Sequence, residues 1–232
     1  MVRLTDQVEL RKKRAGEKAV ELIEDGMTIG LGSGSTVYWT IKKIGELVNK
    51  GMKIKGVPSS IRTEGWANQF GVPLTDFSQV TELDLAIDGA DEVDPSFNLI
   101  KGGGGSLVRE KIVNAASKKL IIVVDESKVV NNLGEFGVPI EVVPFGWEVT
   151  AQRMLQMGCH SIQLRKRENE IYLSNNGNYI LDCYFGLIED AMNLHSQLKQ
   201  IVGVVETGLF IGMTDHVIVG KDNGVQVLRK NE

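Results

Sequence analysis

The chain has 232 residues, of which 42% are hydrophobic, and this is enough for one large globular domain or two smaller ones. Its 26 basic and 30 acidic side chains give a formal net charge of -4, which excludes a global positive field that would attract nucleic acid or an anionic membrane. No signal peptide and no apolar run of about 18 residues is visible, and the two cysteines lack C-x-x-C spacing, so we expect a cytoplasmic protein.

Helical and strand patterns alternate over the first half of the chain. Helices are predicted at Leu4–Glu24, Val37–Val48, Ile61–Phe70 and Ser106–Lys118, and short apolar strands at Met27–Leu31, Ile54–Val57, Leu83–Ile87 and Lys119–Val124. Continuous apolar strands separated by helices predict an α/β fold, a Rossmann-like parallel sheet with helices on both faces. Ligands of such sheets bind at the carboxyl ends of the strands.

The second half of the chain has a different order of elements, β-α-β-β-α-β. The strands are predicted at Val138–Val143, Ser161–Arg165, Tyr179–Phe185 and Gly203–Thr207, and the helices at Trp147–Met157 and Leu187–Leu198. A hairpin signal, Asn175-Asn176-Gly177-Asn178, lies between the two middle strands. This order predicts a smaller inserted ferredoxin-like α+β lid domain at 138–207. The catalytic α/β domain then comprises 1–137 and 208–232, with the tail returning to the first sheet as two strands.

The first motif is Gly-Leu-Gly-Ser-Gly-Ser-Thr, which runs from Gly30 to Thr36 between a predicted strand and a predicted helix. Backbone N–H groups at such a helix start bind phosphate, and we expect Ser33, Gly34, Ser35 and Thr36 to contact one. A plain strand-to-helix turn with Ser35 as N-cap is the alternative. A dinucleotide site is disfavoured, because the spacing is G-x-G-x-G and no acidic residue follows about 20 residues later.

The second motif, Asp-Gly-Ala-Asp-Glu-Val-Asp, begins at the end of the third predicted strand. Asp88 and Asp91 flank Gly89 and Ala90, which places two short carboxylates at the ligand-binding edge of the sheet. The alternatives are a solvated acidic turn and a calcium loop, and the calcium-loop pattern is not matched.

The third motif begins with Lys101, continues with Gly102, Gly103 and Gly104, and leads into the fourth helix. Four consecutive glycines leave bare backbone that can approach a ligand oxygen closely. Glu110 lies about one turn into the helix and is the candidate general base. The alternatives are an exposed Arg-Glu-Lys charge pattern around Glu110 and an ion pair between Lys101 and one of the aspartates.

These three motifs, in this order, resemble those of the ribose-5-phosphate isomerase type A family. The resemblance extends along the chain, through the Gly134–Pro144 stretch, Asp182 after the hairpin, and the stretch from Gly203 to Phe210. It implies interconversion of ribose 5-phosphate and ribulose 5-phosphate in the non-oxidative pentose phosphate pathway, without a cofactor. It also implies a homodimer or homotetramer.

Site residues follow from the resemblance by position. It implies that Glu110 is the proton acceptor, that the strings from Asp88 to Asp91 and from Lys101 to Gly104 bind substrate, and that the Ser33–Thr36 loop binds phosphate. It also implies that Lys128 is a further ligand contact and that Lys12 approaches the phosphate. The family often has Thr where this chain has Ser33, and both supply a hydroxyl.

The reaction that we expect is an aldose–ketose isomerisation through a cis-enediolate. Asp88 assists ring opening, Glu110 moves the proton from C2 to C1, and Lys101 with the glycine N–H groups stabilises the enediolate. Asp91 positions a sugar hydroxyl or holds Lys101. No metal is expected, because the three histidines lack metal-ligand spacing.

Two other functions are alternatives to an isomerase. A non-catalytic sugar-phosphate sensor on a related fold is the alternative, but about 25 residues before the first strand leave little room for a DNA-binding helix-turn-helix. A deaminase or acyl-transferring relative has no support from the motifs.

Overall fold

A computed structural model describes residues 4–230 of the chain. The α-helices of this range, numbered in chain order, are α1 (Leu4–Ala19), α2 (Ser35–Val48), α3 (Ile61–Phe70), α4 (Leu107–Ala115), α5 (Trp147–Gln156) and α6 (Ala191–Lys199). All six correspond to predicted helices, with ends that differ by at most five residues, and both ends of α3 are as predicted.

The strands of the described range were numbered in the same way. They are β1 (Thr28–Leu31), β2 (Lys55–Pro58), β3 (Leu85–Asp88), β4 (Glu92–Val93), β5 (Leu99–Ile100), β6 (Leu120–Asp125), β7 (Val138–Val142), β8 (Ser161–Leu164), β9 (Lys166–Arg167), β10 (Glu170–Ile171), β11 (Tyr179–Tyr184), β12 (Val204–Thr207), β13 (Leu209–Phe210), β14 (His216–Lys221) and β15 (Gly224–Arg229).

The chain forms two compact units, and the first comprises residues 4–90, 109–129 and 213–230. Its six-stranded sheet has the order β15-β14-β6-β3-β1-β2. The five strands from β14 to β2 are parallel, as predicted, whereas β15 pairs antiparallel with β14 at the edge. The carboxyl ends of β1, β3 and β6 therefore lie side by side, where the first two motifs begin.

Side-chain alternation along β1 explains why helices cover both faces of this sheet. Ile29 and Leu31 are fully buried against the apolar sides of α1, α2 and α3. Gly30, between them, faces the opposite way, and a Cβ there would lie 2.6 Å from Val113 Cγ1 on α4. A glycine at this position lets α4 pack directly on the sheet backbone, and the predicted arrangement of helices is confirmed.

The second unit comprises residues 91–108 and 130–212. Its four-stranded antiparallel sheet has the order β12-β7-β11-β8, and together with α5 and α6 it has the predicted ferredoxin-like topology. The same unit contains a three-stranded sheet, β13-β5-β4. The boundaries predicted for the lid domain, at 138 and 207, remain a prediction.

The hairpin between β8 and β11 is longer than the sequence suggested. The short strands β9 and β10 pair with each other in this connection, before the turn that the Asn-Asn-Gly-Asn signal predicted. Glu141, fully buried on β7, holds that turn, because its Oε1 accepts hydrogen bonds from the side chains of Ser174, Asn176 and Asn178. This long-range anchor has no local sequence signal.

Between residues 4 and 230, no helix is both long and apolar enough to cross a membrane.

Candidate active site

The glycine loop after β1 leads directly into α2. Gly34 has a φ of 115° and forms the N-cap of the helix, which begins at Ser35. The first N–H groups of an α-helix have no acceptor within the helix, and the helix dipole adds a partial positive charge there. Ser35 is exposed, whereas Thr36 is buried beneath it. The geometry suits an anion at the Ser35 end of the loop, and phosphate binding by the Ser33–Thr36 loop stays a prediction.

The Ser33 hydroxyl has a different environment from the one we expected. Its Oγ lies 3.0 Å from Ser59 Oγ and 3.1 Å from Thr63 Oγ1, and it donates to Ser60 Oγ at 2.8 Å. Thr63 in turn donates to the Gly32 carbonyl at 2.7 Å. This hydroxyl cluster was missed, although two serines directly after the apolar strand β2 were a signal for it. Through Ser33 and the Gly32 carbonyl, the cluster holds the start of the Ser33–Thr36 loop, which is the predicted phosphate loop.

Asp88 ends β3 and is fully buried. One carboxylate oxygen accepts hydrogen bonds from the backbone N–H groups of Ser33, at 3.0 Å, and Gly89, at 2.8 Å. The other oxygen accepts from Asn114 Nδ2 at 2.9 Å. A Cβ at Gly32 would overlap the Asp88 carboxylate, so only glycine fits there. Asp88 therefore joins the phosphate loop, the end of β3 and α4 in the first unit.

These contacts predict different outcomes for two substitutions at Asp88. Asp88→Ala leaves the buried Asn114 amide and two part-buried backbone N–H groups without their acceptor, and we expect the free energy of unfolding to fall by about 1–3 kcal/mol. Asp88→Asn keeps one oxygen for the two backbone N–H groups, and its new amide can donate to Oδ1 of Asn114, which is buried without another partner. Urea unfolding of both variants tests this, and equal stability of the two would contradict it.

Glu110 lies in the first turn of α4 with 3% of its surface exposed. Asn114 follows four residues later, so both side chains are on the same face of the helix. Since Asn114 contacts Asp88, this face of α4 turns both Glu110 and Asn114 towards the carboxyl end of β3. The alternative for this stretch was an exposed Arg-Glu-Lys charge pattern. The burial of Glu110 contradicts that alternative.

A cavity of about 430 Å³ lies on another side of α4 in the first unit, lined mainly by apolar residues and also by Glu64, Asp76 and Arg109. None of the predicted site residues lines it. The proposed chemistry therefore does not use this cavity, since Asp88, Glu110 and the Ser33–Thr36 loop lie outside its lining.

In the second unit, Asp91 and the glycine loop are bonded to each other. The Asp91 carboxylate accepts a hydrogen bond from the Gly103 N–H at 2.8 Å. Lys101 is 2% exposed, its N–H donates to the Gly208 carbonyl at 2.8 Å, and its ammonium lies 5.3 Å from the centre of the Phe210 ring. An ammonium group that is largely shielded from water attracts a nearby anion more strongly than an exposed one does, because the local dielectric constant is lower.

The two remaining lysines differ in how well their positions suit a ligand contact. Lys128 is half-buried at the end of a 3₁₀ turn that directly follows β6, and so it is at the ligand-binding edge of the sheet. Lys12 on α1 donates to Glu9 at 2.8 Å, and nothing in the structure places it at the phosphate loop. Within the described range, no group of three or more His, Cys, Asp or Glu side chains is arranged to hold a metal ion.

Comparison with known proteins gives a consistent result. The family model for ribose 5-phosphate isomerase A (phosphoriboisomerase A) matches residues 55–224. Ribose-5-phosphate isomerase A 1 of Oceanobacillus iheyensis is 53% identical over 217 residues, which are 93% of this chain and 96% of the relative.

Solved structures agree over nearly the whole chain. Ribose 5-phosphate isomerase from Plasmodium falciparum has a TM-score of 0.92 and 40% identity, and the match covers 97% of this chain and 100% of that one. A D-ribose-5-phosphate isomerase solved in complex with phospho-erythronic acid also has a TM-score of 0.92 and 40% identity, over 96% of this chain and 99% of that one.

Proposed function

This chain belongs to the ribose 5-phosphate isomerase A family, and we propose that it interconverts D-ribose 5-phosphate and D-ribulose 5-phosphate with Glu110 as the general base. The observation that carries the proposal is the burial of Glu110 on the same face of α4 as Asn114, which bonds to Asp88. A buried carboxylate beside the ligand-binding edge of a parallel sheet suits proton transfer in a site that excludes water.

The proposed reaction moves one proton between two carbons. Opening of the furanose frees the C1 aldehyde, which makes the C2 proton acidic, and we assign Asp88 to assist this step. Glu110 removes the C2 proton, and the electron pair forms the C1–C2 double bond of a cis-enediolate. Glu110 then returns the proton to C1, while the hydroxyl proton of O2 passes to O1 and the C2 oxygen becomes the ketone. C2 is oxidised and C1 is reduced by the same electron pair, so no external oxidant or reductant is needed, and the base ends in its starting state.

Binding of the phosphate at the start of α2 would keep the sugar in place. The N–H groups at Ser35 and Thr36 and the exposed hydroxyl of Ser35 supply donors, and Lys128 adds a positive charge at the same edge of the sheet. Because the phosphate does not react, its binding energy can be used to orient C1 and C2 against the base.

Lys101 and the glycine loop are proposed to stabilise negative charge on O1 and O2. A preorganised donor of this kind typically contributes about 10²–10³-fold to kcat. Asp91, which holds the Gly103 N–H, is proposed to maintain the shape of this loop.

Incubation of the purified chain with ribose 5-phosphate tests the proposed function, with ketose formation as the readout. The family relative solved with phospho-erythronic acid suggests a second test, because the carboxylate of this four-carbon acid resembles the enediolate. We expect phospho-erythronic acid to inhibit competitively. Binding of both compounds without any ketose would favour the sugar-phosphate sensor instead.

We further propose a homo-oligomer, either a dimer or a tetramer, in the cytoplasm. Phe145 is 95% exposed and Val202 is 80% exposed in the second unit, and a contact between copies of the chain at these side chains would remove them from water. The two cysteines are free and buried, as is usual in a reducing compartment. Sedimentation analysis of the purified chain measures the oligomeric state, and a monomer at all concentrations would contradict the proposal.

A further inference from the structure

Arg165 contacts the glycine loop from the far end of β8 in the second unit. Its side chain is 13% exposed, and its guanidinium forms a bidentate ion pair with Asp182 on β11, with Nε 3.0 Å from Asp182 Oδ2. The remaining nitrogen, Nη1, donates to the carbonyls of Gly102, at 2.7 Å, and Gly103, at 3.2 Å. One side chain thus connects the antiparallel sheet to two consecutive peptide groups of the loop.

Tyr172 adds a third contact to the same loop. Its hydroxyl donates to the Gly104 carbonyl at 3.4 Å, and its ring packs so closely on Gly105 that a Cβ there would overlap it. Three successive carbonyls, from Gly102 to Gly104, are therefore held by two side chains of the β8–β11 connection.

These carbonyl contacts determine where the N–H groups of the loop point. In a trans peptide the C=O and the following N–H are directed to opposite sides. The Gly103 N–H is accordingly directed away from Arg165, to Asp91, and the Gly105 N–H donates to the Gly102 carbonyl at 2.9 Å. The Gly104 N–H also points away from Arg165, and no acceptor for it is found among the described residues.

The loop needs such support because its own sequence does not order it. In regular structure, a glycine lowers the stability of the folded state by about 0.5–1 kcal/mol relative to an alanine. This loop has four glycines in succession. Gly102 and Gly105 also adopt positive φ values, of 101° and 85°. Without external contacts, the peptide planes of this loop would sample many orientations.

We propose that Arg165, held by Asp182, is a positioning residue that orients the Gly103–Gly104 peptide so that the Gly104 N–H is presented to the enediolate oxygens. This inference rests on the proposed isomerase function, in which the glycine loop stabilises the enediolate. Arg165 itself does not contact the substrate in this scheme. Its effect is on the transition state, because the donor matters most where negative charge develops.

Two variants, Arg165→Ala and Arg165→Lys, test the proposal by steady-state kinetics with ribose 5-phosphate and by amide hydrogen exchange of residues 101–105. For Arg165→Ala we expect kcat to fall by about 10- to 100-fold with little change in KM, and exchange in the loop to accelerate. Arg165→Lys, which keeps the charge but loses the planar fork, is expected to fall between wild type and alanine on both readouts.

Lys199→Ala is the matched control, because it removes another ion pair of the same unit, with Glu206 at 3.0 Å, on α6. It should leave kcat and loop exchange at their wild-type values. Wild-type kcat, or unchanged loop exchange, in both Arg165 variants would overturn the proposal. If the wild-type chain forms no ketose, the proposed function fails, whereas the exchange experiment still decides whether Arg165 orders the loop. If Arg165→Ala does not fold, Arg165→Lys carries the test.

Discussion

Replacement of Glu110 by glutamine is expected to lower kcat for ribose 5-phosphate by about 10²–10⁴-fold, the usual contribution of a general base. Glutamine matches the shape of the buried side chain but cannot accept the C2 proton. KM should change little, because the phosphate is proposed to bind elsewhere, at the start of α2. Deuterium incorporation from solvent into the sugar at C2 should fall in parallel with turnover, since both require the same proton abstraction.

The matched control for this prediction is Glu46→Gln. Glu46 is exposed on α2 and pairs with Lys43, so its neutralisation removes a surface ion pair without touching the site. We expect wild-type kcat for this variant. A folded Glu110→Gln protein with wild-type turnover would show that another group abstracts the proton.

Replacement of Lys101 by methionine is expected to lower kcat by about 10²–10³-fold, with a smaller change in KM. Methionine keeps the apolar stem that packs near Phe210 and removes the ammonium, which is proposed to stabilise the enediolate. The loss should appear mainly in kcat because the charge on O1 and O2 develops only as the proton leaves.

Lys118→Met serves as its control. Lys118 is exposed and pairs with Glu82 and Asp84 on the surface, and these carboxylates raise the pKa of its ammonium. This variant loses one lysine charge away from the site, and we expect unchanged kinetics. If Lys101→Met and Lys118→Met had the same kcat, the ammonium of Lys101 would have no part in stabilising the intermediate.

The sequence predicted the fold well where local patterns carry the information. Each helix and each strand of the two larger sheets was recognised, because apolar periodicity and glycine punctuation reflect burial on one or two faces. The strands β4, β5, β9, β10 and β13 were missed. Each of these strands has only two residues, which are too few to show an alternating pattern. Each pairs with another two-residue strand, and the fold of the second unit brings the two together.

The site was predicted in part. Glycine loops and acidic residues at strand ends are local signals, so the motifs around Ser33, Asp88 and Glu110 were visible in the sequence. The serines behind the phosphate loop, Asn114 beside Asp88, and Arg165 behind the glycine loop were not, because each acts through a partner 26 or more positions away.

The order of elements, the three motifs and the family to which they point can be read from the chain alone, since all of these depend on neighbouring residues. The three-dimensional fold was needed to find which polar groups are buried and which donors they contact. Burial of Asp88 and Glu110, and the direction of each N–H in the glycine loop, result from contacts between distant segments. The free energy of such contacts depends on desolvation and geometry, and neither is set by the identity of adjacent residues.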